Sequence, residues 1–474
     1  MMTECNQASF TFHPLGRREV VGRFDGGRIT TDGGALLLRE AERVTRVIHQ
    51  FAGCFTDYRD PERIEHTVEE LVGQRVYALA LGYEDLNDHD DLRHDPLLAL
   101  LAGKQDPLGR DRRRKEDRGK ALAGKSTLNR LELTPVRASA ASRYKKIALD
   151  RRSAQRLFTG LFLQSHKRPP KRIVLDLDAT DDPIHGHQSG RFFHGYYKNY
   201  CYLPLYIFCG EHLLCARLRP SNIDASAGSV KELERIISQI RKRWPRVRIA
   251  IRGDSGFCRE QIMAWCEASN VDYVLGLAKN DRLIKEIEKE LEQAKRECEE
   301  TGRAARVFGD FHYQTLDSWS RSRRVIGKAE HLGKGSNPRF VVTSLSTDEF
   351  DAQSLYEEEY CARGDVENRI KEQQLGLFAD RTSAATMRAN EVRLWFSSIA
   401  YTLMVALRRL GLKDTDLAKA RCDTIRLKLL KIGARIRVTV RKVWVSFAES
   451  CPYQVIFQQV YDQLVRLRPV PLRC

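Results

Sequence analysis

The sequence predicts an α/β protein: a mixed sheet flanked by helices, preceded by a helical domain, interrupted by a β-rich insertion and followed by a basic tail. Three observations predict it. Arg172–Pro183 reads Arg-Ile-Val-Leu-Asp-Leu-Asp-Ala-Thr-Asp-Asp-Pro, and Ile173, Val174, Leu175 and Leu177 have the texture of a strand buried on both faces. From there to Leu277, strand and helix patterns alternate. Helical periodicity then returns at Ser354, after a block of short β-like runs.

The acidic strand is the element around which the chain is read. Asp176 and Asp178 are two residues apart, so both carboxylates share one face of the strand. Acids inside an apolar strand are costly without a partner or a metal. Either aspartate can be the functional one on spacing alone.

The chain has 474 residues and a formal net charge of +17, with 80 Lys and Arg against 63 Asp and Glu. The length suits several domains, and the basic excess points to a polyanion, nucleic acid before membrane. Met1–Phe10 lacks the apolar run of a signal peptide. Trp395–Leu407, between Arg393 and Arg408, is too short to span a bilayer and reads as a core helix. The 12 cysteines form no C-x-x-C pair, which argues against a zinc ribbon and a secreted disulfide scaffold. A reduced, cytoplasmic protein is expected.

Before the acidic strand the texture is helical. Thr31 and Asp32 can cap a helix carrying Leu36, Leu37, Leu38, Val44 and Ile48. Ile64 to Leu81 continues at helical spacing. Asp106–Lys120 reads as an exposed charged loop, and residues 142–165 as a further helical segment. His166-Lys-Arg-Pro-Pro-Lys-Arg172 is a hinge into the sheet. After it, Tyr200–Cys209 and His212–Arg219 form a hairpin about Gly210-Glu211. Ser229–Trp244 is an amphipathic helix, and Arg246–Gly253 is a strand ending in Asp254-Ser-Gly256. Lys279–Thr301 is a charged helix. Ala305–Leu316, Arg323–Ala329 and Arg339–Leu345 are the β-like runs of the insertion. In the tail, Arg426, Lys428, Lys431, Arg435, Arg437, Arg441 and Lys442 are cationic, and Arg435–Phe447 alternates as a strand or hairpin.

Asp254 precedes a turn, where an aspartate is often only an Asx cap. Its value rises because its strand is expected in the same sheet as Asp178. In Tyr360–Gln374, the residues Tyr360, Arg363, Glu367, Lys371 and Gln374 fall at steps of three or four and share a helix face. Alone, that face reads as a solvated Arg363–Glu367 pair.

Together with the two aspartates, the constellation resembles the DDE transposases of the RNase H-like (retroviral-integrase-like) superfamily. It is most similar to the insertion-sequence group with the signature Y-x-x-R-x-x-x-E followed by a lysine. Tyr360, Arg363 and Glu367 match. Gln374 stands at the lysine position, and Lys371, one turn earlier, could supply the cation. Asp178-Ala179-Thr180 fits the first aspartate of that group better than Asp176, and Arg252-Gly-Asp254-Ser-Gly-Phe257 fits the second. Thr127-Leu-Asn-Arg-Leu-Glu132 and the basic tail are also similar to one subgroup.

The resemblance implies an RNase H-like core over residues 171–280 and 354–410 and a β-rich insertion over 281–353. It implies a helical DNA-binding domain over 1–170 and a basic tail over 411–474. It implies catalytic and metal-binding roles for Asp178, Asp254 and Glu367, and DNA contacts for Tyr360, Arg363, Lys371 and Gln374. The cofactor implied is a pair of Mg²⁺ ions, for which Mn²⁺ may substitute. The partners are double-stranded DNA, as terminal inverted repeats and target, and a second copy of the chain on that DNA. No membrane partner is expected. Second-strand cleavage through a hairpin is a further implication. Oxygen-only ligands suit hard cations, and two of them neutralise the attacking and leaving oxygens of phosphodiester cleavage. The competing readings are a nuclease of the same fold that never joins ends, and an inactive basic DNA-binding derivative.

Two motifs mislead. Gly119-Lys-Ala-Leu-Ala-Gly124-Lys125-Ser126 spells a P-loop, but the charged Arg112–Arg118 before it cannot be the buried strand a P-loop follows. His185-Gly-His187, beside Asp181 and Asp182, lacks the second ligand pair of a zinc site and reads as a loop near the substrate.

Overall fold

Residues 9–468 are described here by a computed structural model of a mixed α/β chain. The stretch Met1–Phe10, read above as lacking a signal, and the end of the tail fall partly outside the described residues. The chain divides into two units. One takes residues up to Leu131, Pro135–Ala148 and those from Leu403 onward; the other takes Glu132–Thr134 and Leu149–Thr402.

In the first unit, Phe10–Leu15 (β1) pairs antiparallel with Arg18–Gly22 (β2) across Gly16, whose φ of 63° suits a residue without Cβ. Arg28–Thr30 (β3) leads through a 3₁₀ turn at Gly33–Ala35 into the helix Leu36–Thr45. The expectation that Asp32 caps this helix is not met. Its side chain makes no cap bond; it accepts from the Tyr83 hydroxyl at 2.7 Å and pairs with Lys431 at 2.7 Å. A buried carboxylate gains more from a cation than from a helix end. The helix Val68–Ala80 opens on a capping box of Thr67 and Glu70 and buries Leu71, Val72, Val76 and Leu79. Phe55–Asp57 (β4) and Ile147–Leu149 (β5) are short. The helix expected over 142–165, which belongs to the second unit, spans only Arg151–Gln164, because Asp150 caps it by accepting from Arg152 N.

The second unit is built on the sheet containing the acidic strand. Its strands are Arg172–Ala179 (β6), the pieces Asp182–Pro183 (β7), Phe192–His194 (β8) and Asn199–Tyr202 (β9), the hairpin Leu205–Cys209 (β10) and His212–Arg217 (β11), then Arg248–Gly253 (β12), Asp272–Leu277 (β13), Ala305–Tyr313 (β14), Arg323–Leu332 (β15), Gly335–Ser336 (β16) and Arg339–Thr343 (β17). The main sheet runs β11-β10-β6-β12-β13-β17-β15-β14, with β16 on β15. β10 is antiparallel to β6 and β11, while β6, β12 and β13 are mutually parallel neighbours. The three runs read as an insertion thus extend the same sheet, with β17 antiparallel to β13. β7, β9 and β8 form a separate small sheet.

One face of the main sheet packs Ile173, Leu175, Leu177, Ile249, Ile251 and Leu275 against Leu233, Ile236 and Ile240 of the helix Ser229–Arg243 and Met263 of Glu260–Ala268. The strand alternation sends Asp176 and Asp178 to the other face. There Val274, Ile326 and Val341 meet Leu355 and Tyr356 of the returning helical run. The helix Met387–Gly411 buries Trp395, whose indole donates to Ala216 O at 2.7 Å. In the upstream motif, Glu132 is buried and pairs with Arg393 at 2.8 Å.

The tail returns to the first unit. Ala434–Val438 (β18) pairs with Val443–Phe447 (β19) and with β3, so the expected basic hairpin forms and Arg435 and Arg437 alternate outward from Ala434 and Ile436. Arg426 and Lys431, by contrast, are structural: Arg426 donates to Ala80 O and Lys431 neutralises Asp32. Among the described residues no helix is long and apolar enough to cross a membrane.

Candidate active site

Asp176 and Asp178 part company in the structure. β6 and β12 are parallel with Asp176 opposite Arg252, and the Arg252 guanidinium grips Asp176 with Nε–Oδ1 at 2.5 Å and Nη2–Oδ2 at 2.9 Å. Arg252 also donates to the Glu359 carbonyl. Burial pushes the Asp176 carboxyl up against the pull of Arg252. Asp176 is therefore taken up in a buried ion pair, and Asp178 is the aspartate left to the site.

Asp178 ends β6 with Oδ1 accepting from its neighbour Ala179 N at 2.8 Å. Asp254 follows the adjacent β12. Its Oδ1 does accept from Gly256 N at 2.9 Å, so the Asx turn is real; its Oδ2 remains for the site. Glu367 lies in the first turn of the helix Gly364–Leu377, where a carboxylate is favoured by the helix dipole.

These three carboxylates meet at one side chain. The Arg363 guanidinium lies 3.8 Å from Asp178 Oδ2, 3.7 Å from Asp254 Oδ2 and 3.2 Å from Glu367 Oε1. Burial opposes the charge on Arg363, but the acids, Asp178 first, hold its pKa above the ordinary value. Its Nε has no hydrogen-bond partner among the described residues. Burial, opposed by Arg363 and aided by Asp254 and Glu367, pushes the Asp178 carboxyl up to about 6. The site is one of acids crowded together around a single cation.

The helical path explains how Arg363 gets there. The run is not a regular helix: Leu355–Tyr360 is a π-helical turn and Cys361–Arg363 a 3₁₀ turn. Such turns re-aim side chains where a regular helix would not. Tyr360 seats against β13 at Gly276, where an ideal Cβ would lie 2.5 Å from its hydroxyl oxygen, so glycine leaves room for the ring.

The remaining two residues of the face diverge. Lys371 is exposed one turn beyond Glu367. Gln374 turns inward, its amide nitrogen donating to Asp181 O at 3.1 Å and Asp182 Oδ1 at 2.9 Å. Asp182 is fully buried, and burial raises its carboxyl well above the usual range. Gln374 thus clamps the loop that follows Asp178. Sequence reasoning had no signal for this clamp, nor for the Asp176–Arg252 pair. His187 Nδ1 sits 2.9 Å from Arg191 and, since arginine only donates, accepts from it.

Among the described residues no three His, Cys, Asp or Glu side chains are gathered closely enough to form a metal cluster. The donor set nevertheless fits hard divalent cations: three carboxylates, no sulfur or imidazole, and a local excess of negative charge that Arg363 answers only in part.

The first unit carries a cleft of about 660 Å³. Arg59, Arg63, Arg93, Arg112, Arg113, Arg114, Lys120 and Arg130 line it against Glu65, Asp90 and Asp117. The P-loop-like letters lie on its wall, with Lys125 paired to Asp90 and no strand before Gly119. His66 lines the cleft and is 6% exposed; Arg112 donates to its Nε2, so its proton sits on Nδ1, which has no acceptor among the described residues. Burial first, then Lys104 and Arg112, lowers the His66 pKa to about 3. His89 is likewise lowered to about 3, by burial first. At these two histidines the unfolded chain holds more protons than the fold between about pH 3 and 6.5, so their contribution to stability rises with pH across that window and is lost as pH falls. Each histidine contributes a slope of up to about 1.4 kcal/mol per pH unit. Thermal unfolding between pH 7 and 5 checks this: His66→Gln with His89→Gln is expected to flatten the profile, and an unchanged profile contradicts it.

The family model described as Transposase DDE domain group 1 matches residues 12–469. The chain is therefore a member of the DDE transposase family. A search of curated proteins found no match.

Proposed function

We propose that the chain is the transposase of an insertion sequence, cutting DNA at terminal inverted repeats and joining the freed 3′ ends to target DNA. The observation that carries this reading is the meeting of Asp178, Asp254 and Glu367, from distant parts of the chain, about one guanidinium. The strand order β11-β10-β6-β12-β13, with only β10 antiparallel to its neighbours on both sides, supports an RNase H-like core.

Asp178, Asp254 and Glu367 would hold Mg²⁺, or Mn²⁺ in its place, which when bound supplies charge neutralisation at the phosphodiester oxygens. Arg363, with its unpartnered Nε, is suited to a phosphate oxygen, and Tyr360 lines the same face. In the cut, a water oxygen gives up a proton and bonds to phosphorus, the bond from phosphorus to the 3′ oxygen breaks, and that oxygen takes up a proton to leave a 3′ hydroxyl opposite a 5′ phosphate. In the joining step, that 3′ hydroxyl gives up its proton and bonds to a target phosphorus, and the target's own 3′ oxygen leaves and takes up a proton. The basic cleft supports phosphate binding by the first unit, which would hold the inverted repeats together with the basic hairpin β18–β19. Two ends handled together call for two copies of the chain.

The test uses the full chain with supercoiled plasmid and rising Mg²⁺, then with a pre-cleaved end bearing a 3′ hydroxyl. Nicking that rises with Mg²⁺, and ends joined to plasmid, are expected. Nicking without joining reduces the protein to a nuclease. Duplex binding with neither activity overturns the enzymatic reading.

A further inference from the structure

Residues 190–200 read Gly-Arg-Phe-Phe-His-Gly-Tyr-Tyr-Lys-Asn-Tyr, five aromatic side chains within a short stretch of a chain that is 8% aromatic. The stretch folds as β8 and β9, with Phe192 opposite Cys201 and Phe193 opposite Tyr200. Cys201 and Tyr202 face inward and are fully buried. Four of the five rings are exposed: Phe192 is 41%, Phe193 58%, Tyr200 48% and Tyr196 83% exposed. A cluster of outward aromatic rings on one short hairpin marks a contact surface rather than core.

The hairpin is tied by hydrogen bonds to the segment that follows Asp178. Tyr197 donates its hydroxyl to Ala179 O, next to Asp178, at 3.3 Å. Asn199 Nδ2 donates to Asp181 Oδ2 at 3.0 Å, and Ser221 donates to Phe192 O at 2.9 Å. Burial and then the charges of Asp181 and Asp178 push the Tyr197 hydroxyl up, as proximity to the acids requires. Cations flank the rings: the Arg191 guanidinium lies over Tyr200 at 4.7 Å, and Lys198 is exposed at the turn.

We propose that this hairpin is a stacking platform for unpaired nucleotide bases beside the phosphodiester that is cut. The inference rests on the reading of the chain as a DNA-cutting enzyme. Aromatic faces with adjacent cations are the chemistry that holds single-stranded nucleic acid. Paired bases offer only their edges, so ring faces gain nothing from an intact duplex. The hairpin that carries the rings is hydrogen-bonded to Ala179 and Asp181, directly after Asp178, so the bases they take are those nearest the cut, opened from the helix. A second copy of the chain is the less suitable occupant, because the surface is basic on a chain that is itself basic.

The full chain is titrated with two oligonucleotide duplexes of one sequence, one fully paired and one with a short mismatched bubble carrying 2-aminopurine. The wild type is expected to bind the bubble roughly tenfold or more tightly than the paired duplex and to quench the probe. Phe193→Ala with Tyr196→Ala is expected to erase that preference and the quenching while keeping paired-duplex affinity within about twofold. Phe193→Tyr with Tyr196→Phe is expected to restore both. Equal binding of the two DNAs by the wild type, or a preference that survives the alanine pair, overturns the inference. So does a change in oligomeric state in the alanine pair with the preference intact, since the rings would then serve a contact between copies. If the wild type binds neither DNA, it is the reading as a transposase that fails.

Discussion

Asp254→Asn is expected to lower Mg²⁺-dependent nicking by at least about a thousandfold, several kcal/mol in the barrier, with duplex binding and thermal midpoint unchanged. The substitution separates two jobs of one side chain. The Asx turn needs only Oδ1 to accept from Gly256 N, and asparagine keeps that oxygen. The site needs the charge, and asparagine removes it. Half-exposure of the side chain leaves no buried void to destabilise the fold. The control is Asp176→Asn, two residues from Asp178 and on the same face. Asp176 answers the buried Arg252, so its loss is expected to cost about 3–5 kcal/mol of stability. Chemical denaturation and plasmid nicking read the two effects apart. Nicking retained in Asp254→Asn would remove Asp254 from the site.

Gly34→Ala is expected to destabilise the first unit by more than about 3 kcal/mol, seen as a lower denaturation midpoint or as insoluble protein. An ideal Cβ on Gly34 would lie 1.8 Å from Leu429 O and 2.8 Å from Leu429 C and Leu430 Cα. These are backbone atoms, which cannot swing away as a side-chain tip can. Gly33 beside it donates to Ile432 O at 2.8 Å, so the two backbones are tied at that distance. Gly433→Ala is the matched control, since nothing lies within 4 Å of its Cβ position. Equal stability of Gly34→Ala and wild type would mean that the close approach is not held in solution.

What could be read from the sequence followed from local chemistry. The alternation in Arg172–Ala179 put two acids on one face, and the steps from Tyr360 to Glu367 put the third on a helix. Gly210-Glu211 gave the hairpin, and Arg435–Phe447 gave the basic strands. What could not be read depended on partners distant in the chain. Asp176 and Asp178 are alike until Arg252 claims one of them. Asp32 has the sequence context of a helix cap, and only Lys431 and Tyr83 reveal why it is not one. The β-like runs after Thr301 have a period of two whether they form a body of their own or lengthen an existing sheet, so their place beside β13 was not legible. Regular helical spacing also concealed the π and 3₁₀ turns that bring Arg363 among the acids.

The pairing of β3 with β18 bears on how the protein is made. During synthesis, Arg28–Thr30 emerges long before its partner Ala434–Val438. Until then Gly34 has no Leu429 to lie against, and Asp32 has no Lys431. A product released by a premature stop before that point would leave the first unit without the strand that closes it, so the intact unit forms only once translation has passed Val438.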